Sequence, residues 1–294
     1  YLRRLGIRSR ASLDLRHPAV VTAKGLCAGA LIATSIVPIN SFVGRVIASY
    51  LPHGEVASLS YAFRIFLLPF SLFAVPVYTV MFSRLSKLFH DNDMRDFKAH
   101  IDSSIVLICV TLVPATILLC SCGDMCVKVL YERGAFTPAD TAMTNRALFG
   151  YSAGLVFYAL SISFVRIFNA MHDMKTPAII GISSIIINAI IASLLMVPFK
   201  NLGIALATSI VSLYNFAFLY IILKRKTGYG LARPAVRDII KSLAAGIVLV
   251  LLIVLARRFL ACGTVAMLSV SAALTIVIYG LAFKSYYLKI LRRR

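Results

Sequence analysis

One arginine inside a long apolar stretch has side-chain chemistry that its surroundings do not explain. Arg64 lies nine residues into the apolar span 56–82, and Ser60, Tyr61 and Ser71 recur at helical spacing on its face. Inserting an arginine near the bilayer centre costs about 2.5–3.5 kcal/mol, so the presence of Arg64 within an apolar span calls for a functional explanation. A planar guanidinium that stays protonated suits phosphate oxygens, which predicts an anion-binding arginine in a polar cavity. Snorkelling to the outer interface is the alternative.

The sequence around a second arginine, Arg45, fits two different positions of its side chain. It follows the polar pair Asn40 and Ser41 beyond Pro38, as a cavity residue would, but it also lies five residues from the outer end of its helix. Cavity lining and snorkelling both stay open for it. Arg166, at the inner end of its span, is expected to snorkel or to contact a lipid phosphate.

Catalytic and metal-binding patterns are missing from the sequence. We expect all eleven acidic residues to lie in connections or at helix ends, and the five histidines are likewise peripheral. These positions argue against a proton-coupled exporter, which needs a carboxylate at membrane depth, and against an embedded hydrolase. We therefore expect no catalytic residues, no metal site and no cofactor. Cys120, Cys122 and Cys126 cluster near the outer face, where structural thiols or a disulfide are expected rather than a metal site.

The elements that position these residues are membrane helices. The 294 residues are 60% hydrophobic and 14% charged, with a mean hydropathy of +0.88, which excludes a soluble enzyme and predicts an all-α polytopic bundle. Prolines at 69 and 76 predict a broken helix that lines a wet cavity. We expect about eight spans, over 19–50, 56–82, 103–122, 143–165, 178–197, 202–223, 242–256 and 265–283.

The net charge of +20 follows the predicted topology. Connections on the side that holds both termini carry 21 Lys and Arg residues, against five on the opposite side. By the positive-inside rule, both ends of the chain are cytoplasmic. The basicity therefore indicates membrane lipids as a partner, not nucleic acid.

A series of short motifs runs in order over about residues 18–226. The motifs are Ile47-Ala48-Ser49-Tyr50-Leu51, Gly54, Tyr61-Ala62-Phe63-Arg64, Pro69, Arg84-Leu85-Ser86, Glu132-Arg133-Gly134-Ala135-Phe136-Thr137, Asp173-Met174-Lys175-Thr176-Pro177 and Gly203-Ile204-Ala205-Leu206-Ala207-Thr208-Ser209. On these motifs the chain resembles the MurJ (MviN-type) lipid II flippases of the MOP exporter superfamily.

The resemblance implies an architecture for the chain. Members of the family have fourteen helices in two six-helix lobes and a terminal pair. Residues 1–16 would then be a cytoplasmic basic connection, 17–226 the second lobe, and 227–294 the terminal pair with a basic tail. The first, N-terminal lobe would be a missing partner of this chain.

The resemblance also implies an activity, which is movement of undecaprenyl-pyrophosphate-linked peptidoglycan precursor (lipid II) from the inner to the outer leaflet of the bacterial inner membrane by alternating access. Arg64 matches the family's cavity arginine. Asn188 and Thr208 match positions of a cation site found in some members, although Ala192 stands where those members have a carboxylate. No cofactor is implied.

Other functions remain open at this point. The chain could belong to an exporter of another polyprenyl-linked glycan or to a MATE-like drug antiporter, which an embedded acid elsewhere in the protein would favour. It could also be a non-transporting scaffold for cell-wall enzymes, in which case the loops at 84–98 and 224–241 would matter more than the arginines.

Overall fold

The computed structural model describes residues 39, 42–52, 54–259 and 263–283, and within these ranges it contains helices and no strands. Residues 42–48 are helical. They are followed by α1 (Glu55–Pro69), a π-helical segment (Phe70–Ala74), α2 (Val75–His90), α3 (Met94–Tyr131), α4 (Pro138–Ser152), α5 (Leu155–Ala170), α6 (Lys175–Phe199), α7 (Asn201–Thr227), α8 (Arg233–Phe259) and α9 (Thr264–Ala282).

The predicted membrane helices are confirmed over the described residues. Six helices are long and apolar enough to cross a bilayer, with α1, the π-helical segment and α2 forming one of them, and the bent pair of α4 and α5 makes a seventh. The first predicted span, 19–50, lies largely outside the described residues. The protein is thus a multi-pass membrane protein with an all-helical fold.

The predicted span 143–165 is not straight. α4 and α5 meet at a bend of 47° beside Gly154. A Cβ atom on Gly154 would lie only 2.5 Å from the Cα of Ser209 on α7, so the close approach of α7 requires glycine here. The Ser209 hydroxyl donates to the carbonyl oxygens of Gly150 (2.6 Å) and Tyr151 (3.3 Å), which partly satisfies the backbone groups that the bend frees.

The centre of the bundle is α3, which packs against α1, α2, α4, α5, α8 and α9. It is 38 residues long and kinks at Cys122, so the residues from 123 to 131 form a separate arm beyond the kink. Asp102 and Asp124 were expected at helix ends. That expectation is wrong in detail, because α3 extends beyond the predicted 103–122 on both sides and contains them both.

The pair formed by α8 and α9 is fastened to α3 along its length. The two ends of the bundle are called inner and outer after the predicted topology. At the end predicted to be inner, Asp102 accepts hydrogen bonds from the Tyr229 hydroxyl (2.6 Å) and the Ala232 N–H (3.3 Å). At the outer end Arg257 pairs with Asp124 at 2.7 Å. Between them, the Tyr279 hydroxyl on α9 donates to the carbonyl of Ser242 on α8 at 2.7 Å. These contacts hold the pair against the central helix at both membrane surfaces.

Candidate functional site

Arg64 lies on the open face of α1. The opposite face of this helix packs against α4, and there it buries Ser58, Leu59, Ala62, Ile65 and Phe66. Arg64 is exposed and forms no ion pair with any described residue. At a rise of 1.5 Å per residue, it sits about 13 Å along the helix from Glu55, inside the 36-residue span Glu55–His90.

Two of the predicted hydroxyl groups share this open face. Ser60 and Ser71 are exposed, and each hydroxyl donates to a carbonyl of its own helix, that of Val56 at 3.2 Å and that of Leu68 at 3.0 Å. Each oxygen keeps lone pairs that can accept a further hydrogen bond. Ser60, Arg64 and Ser71 therefore form one polar stripe on an otherwise apolar helix.

The interruption predicted at the two prolines takes the form of a π-helical segment within one continuous span, Glu55–His90, and not of a broken helix. Pro76 has no N–H, and the ring of Pro69 crowds the carbonyl one turn before it, so the regular ladder cannot continue through both. The helix widens instead, and the Val75 N–H donates to the carbonyl of Phe70, five residues earlier. This widened turn carries Ser71.

Tyr61 is separated from the stripe. Its ring packs against Tyr131, with centroids 4.8 Å apart, and against Phe136 at 5.4 Å. With Arg133 and Thr144 it lines an outer cavity of about 440 Å³. Tyr61 thus anchors the outer connection to α1, and the prediction that it lies beside Arg64 on one face is not supported.

The other predicted residues are placed without being brought together with Arg64. Arg45 is exposed in the helical segment over 42–48, near the outer end of the bundle, and has no ion pair within the described ranges. Asn188 on α6 is buried, and Thr208 on α7 donates to the Ile204 carbonyl at 3.4 Å. Ala192, one turn beyond Asn188, is fully buried. No cluster of three or more His, Cys, Asp or Glu side chains that could hold a metal ion occurs in the described part of the chain.

Two features of the site were missed from the sequence. The guanidinium of Arg166 on α5 lies over the ring of Tyr78 on α2, 5.5 Å from its centroid, and the arginine remains exposed. Glu55, the first residue of α1, is only 4% exposed although it was expected in a connection. No pattern in the sequence predicts the Arg166–Tyr78 contact or the burial of Glu55, because both depend on which helices become neighbours.

The cysteine cluster at the outer end of α3 holds no disulfide. Cys120, Cys122 and Cys126 carry free thiols, and Cys122 donates to the Ser271 hydroxyl of α9 at 3.5 Å. Cys122 is buried at the kink and contacts α9. This placement agrees with the structural role predicted for these residues.

Comparison with known proteins identifies the family. A sequence model of the family "Lipid II flippase MurJ" matches residues 1–279. A probable lipid II flippase MurJ of Rickettsia prowazekii is 34% identical over 191 residues, which are 65% of this chain and 38% of that protein. The corresponding protein of Vibrio cholerae is 28% identical over 249 residues, which are 85% of this chain and 47% of that protein.

A solved structure agrees with the sequence comparisons. It is of a lipid II flippase MurJ in an inward closed conformation, and it superimposes with a TM-score of 0.80 at 25% identity, covering 97% of this chain and 58% of that one. The chain spans about half the length, or less, of the curated relatives named above. The family match covers nearly the whole sequence, and the chain belongs to the MurJ family of lipid II flippases.

Proposed function

We propose that this chain is the second lobe and terminal helix pair of a lipid II flippase. The observation that carries the proposal is Arg64, an exposed and unpaired guanidinium about 13 Å inside a membrane helix. Such a charge is costly in hydrocarbon and is retained where it lines a wet cavity. The fork of N–H donors matches a pyrophosphate, and the hydroxyls of Ser60 and Ser71 add hydrogen-bonding groups along the same stripe.

The open face of α1 and α2 is the surface on which we infer that the N-terminal lobe of longer relatives packs. A polar stripe there would line the cleft between two lobes, and the polyprenyl tail would stay in lipid. Rocking of the lobes about this cleft would expose the headgroup first to the inner and then to the outer side. We infer the same division of the chain, with the lobe over 17–226 and the terminal pair over 227–294, from the packing of α8 and α9 on each other and on α3.

Arg166 supplies a second cation toward the inner side. Tyr78, which its guanidinium covers, lies fourteen residues beyond Arg64 in the same continuous span, which is about 21 Å along the helix. We infer that Arg166 contacts the anionic headgroup near the inner leaflet before Arg64 does. Arg45, near the outer end, would then contact it last. The stacked tyrosine keeps the Arg166 guanidinium in place without neutralising its charge.

The orientation we infer places both ends of the chain in the cytoplasm and the protein in the bacterial inner membrane. Exposed cations at four-residue spacing line the inner end of α8, and they are Arg233, Arg237 and Lys241. Their attraction to the anionic lipids of the cytoplasmic leaflet favours this orientation. We infer a transporter and not an enzyme, because translocation breaks no bond in its substrate.

Two polar residues in the middle of the membrane helices bear on what drives transport. Asn188 and Thr208 are what remains of a cation site in this half, and Ala192 offers no carboxylate. We infer that this mid-membrane pair does not couple transport to an ion. The membrane potential acting on the charged headgroup and the fixed arginines would supply the energy.

Substituting Arg64 in the whole protein tests the proposal. Arg64→Ala should abolish growth of a strain that depends on this flippase and should leave lipid II on the inner leaflet, with normal insertion of the protein. Arg64→Lys should rescue only in part, since an ammonium is a point charge without the fork. Arg225→Ala, which removes an exposed cation at the inner end of α7, is the matched control. Translocation at the normal rate with Arg64→Ala would refute the role of this residue.

A further inference from the structure

The first turns of α1 and α7 meet the middle of α4 at a buried polar cluster that the flippase reaction does not use. Its centre is Asn201, the first residue of α7, which is fully buried. Its amide nitrogen donates to the Ser58 hydroxyl on α1 at 2.8 Å and to the Met143 carbonyl on α4 at 2.9 Å. Because a carbonyl can only accept, this contact fixes which end of the amide is nitrogen.

The amide oxygen of Asn201 is left without a donor in the described part of the chain. Ser58 cannot supply one, because its single hydrogen is donated to the carbonyl of Glu55 at 2.7 Å and its oxygen already accepts from Asn201. Asn201 thus joins three helices through its nitrogen while its Oδ1 stays buried and unpaired.

Two more buried oxygens, on the two helices that Asn201 contacts, lack partners among the described residues. One is Oε2 of Glu55, one turn before Ser58 on α1, and the other is Oγ1 of Thr144, next to Met143 on α4. Glu55 is 4% exposed and Thr144 is 0% exposed. Buried oxygens in native proteins nearly always have a partner, so three such atoms on adjoining helices indicate an occupant.

The charge balance of the cluster indicates which occupant. Glu55 carries its only carboxylate, and the ion pairs of the described chain involve other acids, which are Asp124, Glu132 and Asp173. A buried carboxylate without a counter-charge is strongly unfavourable. A water molecule would supply hydrogen bonds but no charge, and a divalent ion would leave one positive charge uncompensated.

We propose that Glu55, Thr144 and Asn201 bind a monovalent metal cation of the sodium class. An all-oxygen set with one carboxylate suits a hard cation of single charge. The cation would join the first turns of α1 and α7 to the middle of α4. The site is distinct from the mid-membrane pair Asn188 and Thr208, because Asn201 precedes Thr208 by seven residues, about 10 Å along α7.

The test is thermal unfolding of the purified chain with Na⁺ exchanged for choline at constant ionic strength, and with K⁺ as a second probe. We expect the Tm of the native chain to rise with Na⁺ and to saturate. Glu55→Gln should raise the Tm in choline, because an uncompensated charge is gone, and should abolish the response to Na⁺. Thr144→Val keeps the shape of the side chain and removes one ligand, so it should raise the half-saturating Na⁺ concentration about tenfold.

Glu132→Gln is the matched control, since this outer acid already accepts a hydrogen bond from Thr141 at 2.7 Å and should leave the Na⁺ response unchanged. If Glu55→Gln does not fold, Thr144→Val decides the question. A native chain whose Tm ignores Na⁺ and K⁺ would show that water fills the cluster and would overturn the proposal. A response that survives Glu55→Gln, or that Glu132→Gln removes equally, would overturn it as well.

Discussion

Replacing Gly203 by alanine should destabilise the contact between α6 and α7. A Cβ atom at this position would lie 2.1 Å from the carbonyl oxygen of Leu195 and 2.4 Å from its carbonyl carbon. These atoms belong to the backbone of α6, so they can move only if the whole helix moves. Overpacking of a well-packed interface typically lowers the free energy of unfolding by about 1–3 kcal/mol. We expect a loss of about 3 kcal/mol for Gly203→Ala, because the new methyl group would clash with backbone atoms that cannot move by themselves.

The assay is thermal or denaturant unfolding in one detergent, with Gly280→Ala as the matched control. Gly280 also lies inside a helix, α9, but a Cβ atom there meets nothing within 4 Å. The Gly280→Ala substitution should therefore stabilise the chain slightly, by about 0.4–1 kcal/mol, because it lowers the conformational entropy of the unfolded state. Equal stability of the two alanine variants would refute the close α6–α7 contact at Gly203.

Two further predictions concern contacts at the inner surface. Tyr229→Phe removes the hydrogen bond to Asp102 from a fully buried ring and should cost about 1.5–3 kcal/mol in unfolding free energy, whereas Tyr50→Phe, at an exposed tyrosine, should change little. Asp173→Asn should lower the Tm at pH 7, and its difference from the native chain should begin to shrink as the pH falls below about 4 and should be lost once the pH has fallen through the lowered pKa of Asp173. Burial alone would raise the pKa of Asp173, but hydrogen bonds, chiefly from Lys226, lower it below 3.8, so the stabilisation exists above that pH and is lost on protonation. A difference that does not shrink at all as the pH falls below about 4 would contradict this account.

Features set by neighbours along the chain could be predicted from the sequence. The prolines at 69 and 76 predict an interrupted helix because the missing N–H and the ring clash act within one turn. The start of α4 is equally local: Thr137 and Asp140 form the reciprocal cap that their spacing predicts, with the Thr137 N–H donating to the Asp140 carboxylate at 2.8 Å. The seven spans predicted between residues 56 and 283 and the exposed stripe of Ser60, Arg64 and Ser71 follow from hydropathy and helical period in the same way.

Features that depend on which helices become neighbours were decided only by the tertiary structure. Tyr61 and Arg64 are three residues apart and were expected on one face, yet the aromatic rings of Tyr131 and Phe136 hold Tyr61 at the outer connection. The same holds for Arg166 above Tyr78 and for the burial of Glu55 beside Asn201. Hydropathy and helical period fix how far a side chain lies along and around its own helix, but the partner across the interface comes from residues distant in sequence, and only packing brings it there.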